Sequence, residues 1–106
     1  MATLKLLRVQ FQADNPASFN NETVVFKWGG TYITTRTIPK PNKVYNFWNA
    51  SITIGGSNNI KAFQNNNSVG TGTPSVSSSP PTNSSFSTIN TGFWGGGKLI
   101  VEYRVT

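Results

Sequence analysis

Along most of the chain apolar side chains recur at every second position, and those that alternate are mainly β-branched or aromatic. That period belongs to half-buried strands, whose successive side chains leave the backbone on opposite faces. It predicts eight strands and no substantial helix: Thr3 to Gln12, Thr23 to Trp28, Thr31 to Ile38, Val44 to Trp48, Ser51 to Ile54, Ile60 to Gln64, Ser84 to Ile89 and Lys98 to Thr106. In the first of these, Leu4 and Leu6 are out of phase with Val9 and Phe11, which predicts a β-bulge near Leu6-Leu7. In the last, Leu99, Val101, Tyr103 and Val105 share one face while Lys98, Ile100, Glu102 and Arg104 share the other. These two strands are the most regular, and they are expected side by side in the core.

Turn residues punctuate the pattern. Gly29-Gly30 between two alternating runs reads as a hairpin, since glycine accepts the positive φ angles of a two-residue turn. Pro39-Lys40-Pro41-Asn42 breaks the ladder, because proline has no N–H to donate. Gly55 to Asn59 is expected as a turn, and Gly95-Gly96-Gly97 as a hairpin or bulge. The segment Asn65 to Asn83 is rich in Asn, Ser, Thr and Pro, and Val69 and Val76 are its only sizeable apolar residues. It reads as a long extended loop, an arm free to lie on a partner. Short strands, polar turns and no helical period predict an all-β fold: one antiparallel β-sandwich, C2-like or jelly-roll-like, spanning residues 1–106.

Composition narrows the class. Uncharged Asn, Gln, Ser and Thr number 40, against 12 charged residues, which excludes a coiled coil or charged helical bundle. Thirteen aromatic residues supply enough apolar area to argue against disorder. No run approaches the ~18 apolar residues of a membrane-spanning helix. Arg8 interrupts the apolar start too early for a signal-peptide core, so the N-terminus is expected as a strand and not a targeting segment.

From Val24 onward the order is a strand, a Gly-Gly turn, a strand ending Thr35-Arg36-Thr37-Ile38, a Pro-Asn stretch, the aromatic run Val44-Tyr45-Asn46-Phe47-Trp48-Asn49, and Ser51-Ile52-Thr53-Ile54. This order resembles the middle of C2 domains over about a third of the chain. The resemblance implies an eight-stranded sandwich. Calcium-dependent members hold several Asp residues in two loops, whereas Asp14 is the single Asp here, so no calcium site is implied. The lipid-binding basic face of such domains would correspond to Arg36, Lys40 and Lys43.

Candidate chemistry is sparse. With no His and no Cys, and with Asp14, Glu22 and Glu102 as the only acids, a serine nucleophile has no histidine base and metal-ligand clusters are out of reach. Asp14 opens a turn before Asn15-Pro16, and Glu102 is expected on a solvated strand face between Lys98 and Arg104. No enzyme activity, cofactor or metal is therefore expected. A net charge of +6 suits an anionic partner, but the nine basic residues are spread singly, and single-strand nucleic-acid binders add exposed aromatics on the same face. Nucleic acid is on that ground ranked below the other partners. The densest basic stretch, Arg36 to Lys43, reads first as an edge kept soluble by Lys and Pro.

Trp28, Trp48 and Trp94 stand beside turns, and one is expected fully buried while at least one reaches the surface. Partner or ligand contact is assigned to Arg36, Lys40, Lys43, Trp48, Trp94, Val69 and Val76. A sandwich without His or Cys and with long polar loops resembles capsid and fibre proteins in composition. The leading expectation is a non-enzymatic structural or assembly protein, such as a small virion, capsid-decorating or shell component. Its partners would be protein subunits, by self-association or docking on a larger assembly. A calcium-independent module on anionic membranes and a metal-free glycan-binding lectin are the alternatives.

Overall fold

The computed structural model describes residues 2–70 and 75–106. Ten strands follow one another: β1 (Ala2–Ala13), β2 (Glu22–Trp28), β3 (Thr31–Ile38), β4 (Val44–Asn46), β5 (Ser51–Ile54), β6 (Ser57–Gln64), β7 (Asn67–Ser68), β8 (Ser75–Ser77), β9 (Thr82–Thr91) and β10 (Gly97–Val105). A single 3-10 turn at Pro16–Ser18 is the only helical element among the described residues, and it follows the Asp14-Asn15-Pro16 turn opening. Sheet I has the order β4-β1-β10-β9, with β5 also paired to β1; sheet II has the order β3-β2-β6-β7, with β8 paired to β6. All pairings are antiparallel, and the two sheets enclose one apolar core, so the all-β sandwich read from the period is the observed architecture.

The first and last strands lie together at the centre of sheet I, with Leu4 opposite Val105, Val9 opposite Val101 and Phe11 opposite Leu99. Between Leu6 and Arg8 the register shifts. This bulge at Leu7 lets Leu4, Leu6, Val9 and Phe11 all point inward, and it puts Lys5 and Arg8 on the same outer face. The segment between β4 and β5 is stitched along the bulge, Phe47 N–H to the Leu7 carbonyl at 3.0 Å and Leu6 N–H to the Ala50 carbonyl at 2.8 Å. Phe47 and Ala50 are thereby buried, while Trp48 and Asn49 are pushed outward.

The β2–β3 hairpin forms across Gly29-Gly30, but only Gly29 takes a positive φ, +58°. Its second constraint is contact: the Asn58 side chain packs where a Cβ at Gly29 would lie. Gly95, Gly96 and Gly97 all have positive φ in the β9–β10 connection, which is the expected hairpin. Gly97 lies against the Gln12 carbonyl, leaving no room for a side chain between β10 and the end of β1.

Two expectations are corrected. The turn at Gly55 to Asn59 ends at Gly56, and Ser57 to Asn59 begin β6 instead. The stretch Asn65 to Asn83 is not a free arm. Its described residues carry β7, β8 and the start of β9, and Val69 and Val76 are 0% and 2% exposed in the core. Val76 is held by neighbours remote in sequence: β8 pairs with Ser57 to Asn59, and the Trp28 indole N–H donates to the Val76 carbonyl at 3.1 Å. Thr71 to Pro74 lie outside the described residues.

Candidate functional site

Of the seven residues assigned to partner contact, Arg36, Lys43 and Trp48 come together at one open edge of the sandwich. Arg36 is opposite inward-facing Val24 in the β2–β3 ladder, so it leaves β3 on the side of the other sheet and lies half-buried at the margin of the gap. It bridges that gap. Its Nε donates to the Asn46 carbonyl at 3.0 Å and one Nη to the Thr37 carbonyl at 2.5 Å, and its guanidinium lies 5.0 Å from the Trp48 ring and 5.4 Å from the Tyr45 ring. The Lys43 ammonium stands 5.8 Å from the same Tyr45 ring. Arg36 is thus a latch between the sheets and, as an inward-pointing charge on β3, a guard against pairing at that edge. Lys40 is exposed and takes no part in the cluster.

The remaining assignments change. Trp94 is not a free contact: it is partly buried and meets Phe11 and Phe19 edge-on, with centroids 5.1 and 5.5 Å apart, closing one end of the core. Val69 and Val76 are core residues and have no surface to offer a partner. No Trp is fully buried; Trp48 is 69% exposed, whereas Trp28 and Trp94 pack partly against the core.

The outer face of sheet I carries a second constellation, which alternation along single strands does not assemble. Register places Asn46, Arg8, Glu102 and Phe86 in one row across four strands, with Val44, Gln10, Ile100 and Thr88 in the next. Lys5 opposite Arg104 lies toward one end of the face, and Lys98 between Gln12 and Asn90 toward the other. Between the two central rows is an open depression of about 230 Å³. Its apolar rim is supplied by Phe86 and Val44, 62% and 52% exposed, with Ile100 between them.

Glu102 is not solvated as alternation implied. Its side chain is 11% exposed, paired with Arg8 at 2.6 Å and accepting from the Ser84 hydroxyl at 2.6 Å. The Ser84 hydrogen bond, and after it the Arg8 guanidinium, hold the Glu102 carboxyl below its ordinary value, although burial pulls the other way. The three acids occupy separate places. Glu22 accepts from the Gln64 amide on sheet II, and Asp14 is exposed beside Gly96 at the end of β1. Among the described residues no three acids gather as a metal site would require.

The four sheet margins differ in how they are protected. β3 carries the inward Arg36; β4, which follows the Pro-Lys stretch, and β5 are only three and four residues long; β7 has two residues. β9 is ten residues long, contains no charge and no proline, and among the described residues pairs on one side only, with β10. Compared with protein-family models, curated proteins and solved structures, the chain gives no match.

Proposed function

We propose that this is a non-enzymatic assembly protein whose copies join through the free edge of β9. The observation that carries the reading is that ten-residue margin, uncharged and paired only with β10 among the described residues, beside three margins that are short or carry an inward charge. Unpaired backbone N–H and C=O groups along a long, uncharged strand are a template for another strand, and sandwiches that remain single normally block them with Lys, Pro, a bulge or an inward charge. Here an inward charge stands on β3, whereas β9 has only a register shift between Thr82 and Ser85, near its start, and from Ser85 to Thr91 it runs regularly with no charge and no proline.

A second copy of β9 is the natural complement. Antiparallel pairing of one β9 with another is isologous, so a twofold axis satisfies both edges at once and leaves no further edge to propagate. A register centred on Phe86, near the middle of the strand, sets the two exposed rings opposite each other on the outer face, where an aromatic pair contributes about 0.5–1 kcal/mol. The +6 charge on each copy opposes the contact, so association strengthens as salt screens it.

Sedimentation equilibrium of the wild type and of Thr88→Lys tests this. Thr88 faces outward next to Phe86, and a lysine there supplies the edge charge that β9 lacks. A wild-type dimer that becomes a monomer in Thr88→Lys, with the thermal midpoint of the monomer unchanged, supports the reading. A wild-type monomer at all salt concentrations overturns it.

A further inference from the structure

We infer that the outer face of sheet I is a docking surface for single-stranded nucleic acid. The cations that look scattered in sequence are gathered by topology. Four of the nine basic residues, Lys5, Arg8, Lys98 and Arg104, come to one face because β1 and β10 are neighbours and the Leu7 bulge restores the outward phase of Arg8. Against them stands a single carboxylate, Glu102, already neutralised by Arg8. Among the described residues that is the one ion pair, so Lys5, Lys98 and Arg104 keep their charge for an anionic ligand.

The spacing favours a chain over a point anion. Lys98 and Arg104 are six residues apart on β10, a separation of about 20 Å at ~3.4 Å per residue, so the cations flank the centre of the face along the strand direction. Between them the row through Glu102 holds the closed Arg8–Glu102 pair and, on the margin strand β9, Phe86, exposed on the rim of a depression of about 230 Å³. Phosphates held at both ends and a base stacked on Phe86 between them is the pattern of single-strand recognition on a sheet surface, where cations follow the backbone and a ring accepts any base. Gln10, Gln12 and Asn90 add amide donors and acceptors between these points. A duplex buries its bases, so it could use the cations but not the ring. An anionic bilayer likewise matches the charge but offers no flat ring to stack on Phe86.

Fluorescence anisotropy of labelled oligothymidylate and oligouridylate with the full chain is the test, run beside a duplex, heparin and phosphatidylserine vesicles. Single strands should bind more tightly than the duplex or heparin, with affinity falling as salt rises. Phe86→Ala should weaken binding roughly tenfold, while Phe86→Trp should retain it. The double variant Lys5→Ala/Arg104→Ala should lower the slope of log affinity against log salt by about 1.4, at ~0.7 for each phosphate that is no longer neutralised. Thermal midpoints confirm that each variant is folded. Absence of binding, equal binding of heparin or duplex, indifference to Phe86→Ala, or binding of vesicles alone would each overturn the inference. Thr88→Lys separates this surface from the β9 contact, because it removes the dimer and adds a cation here, so oligonucleotide binding should hold or rise while the mass halves.

Discussion

Replacing residues 66–80 with a short Gly-Ser linker removes what reads as a dispensable polar loop, and the structure places two of its residues, Val69 and Val76, in the core. Val69 and Val76 are both fully buried, and burying a valine is worth about 1.5–3 kcal/mol, so the two together contribute about 4 kcal/mol. The exchange also breaks the pairing of β7 and β8 with β6 and several further hydrogen bonds, three of which are Val69 N–H to the Ala62 carbonyl at 3.0 Å, Ser78 N–H to the Gly56 carbonyl at 2.8 Å, and the Trp28 indole to the Val76 carbonyl at 3.1 Å. At about 1 kcal/mol each these three bring the loss to about 7 kcal/mol. A domain this size has a net stability of about 5–15 kcal/mol, so the linker variant should be largely unfolded at room temperature.

Two milder variants grade the effect. Val69→Ala and Val76→Ala each remove about two methylene equivalents and leave a small cavity, which should cost about 2 kcal/mol. Each should lower the thermal midpoint by about 8 °C, at ~4 °C per kcal/mol, with the double variant lower than either single variant. Thermal unfolding followed by near-ultraviolet circular dichroism and urea midpoints reads all three. A linker variant that keeps its midpoint within about 3 °C of wild type would refute the reasoning and return the segment to the status of a free arm.

Three further outcomes follow. Because the folded Glu102 carboxyl titrates below its ordinary value of 4.5, its pairing stabilises the fold above that pH and is lost as acid protonates it in the native state; urea midpoints should fall more steeply below pH 4.5 for wild type than for Glu102→Gln, and parallel curves would contradict this. Gly97→Ala should cost about 1–3 kcal/mol by driving a Cβ into the Gln12 carbonyl and the Phe11 ring, whereas Gly30→Ala, with open space around it, should be near neutral; equal effects in thermal unfolding would remove the steric account. Arg36→Ala should lower stability by about 2 kcal/mol through the loss of two backbone hydrogen bonds and two ring contacts, with Trp48→Ala costing under about 1 kcal/mol, and the reverse order in urea unfolding would show that Arg36 is not a latch.

How much of the fold is legible in the sequence depends on whether a feature is local. The Gly29-Gly30 hairpin and the alternation of Lys98 to Thr106 carry their own signals, period two and a turn residue, and both appear with only small shifts of boundary. The phase slip at Leu6-Leu7 is also readable, since a bulge is written as two apolar runs out of step. Val69 and Val76 escape such reading because each is a lone apolar residue on a strand of two or three residues or just beyond one, too short to show a period; Val69 is tied to Ala62 of β6, and Val76 is held by β6 and Trp28, which are remote in sequence. Glu102 escapes it for a related reason. Alternation tells which face a residue leaves from, but not that Arg8 and Ser84 will fold over it.

The same limit applies to the sites. Arg36 and Trp48 stand out as a basic stretch beside an aromatic one, though the inward direction of Arg36 depends on its register with Val24. The cations of sheet I occur singly along the chain and become neighbours only through the β1–β10 pairing. Phe86 is one aromatic within a Ser and Thr run, and nothing in the sequence says that its strand lies at a margin.

Amide hydrogen exchange of β9 as protein concentration rises tests the assembly reading most directly, because it looks at the backbone groups that the contact would occupy. In a single copy, alternate amides of Thr82 to Thr91 face away from β10 and exchange fast, while those between face β10 and exchange slowly. Pairing of two β9 edges should slow the fast set as concentration and salt increase, with the edge amides of β3 unchanged and the Thr88→Lys protein fast throughout. Outward β9 amides that exchange at the same fast rate at every concentration would contradict the assembly through β9.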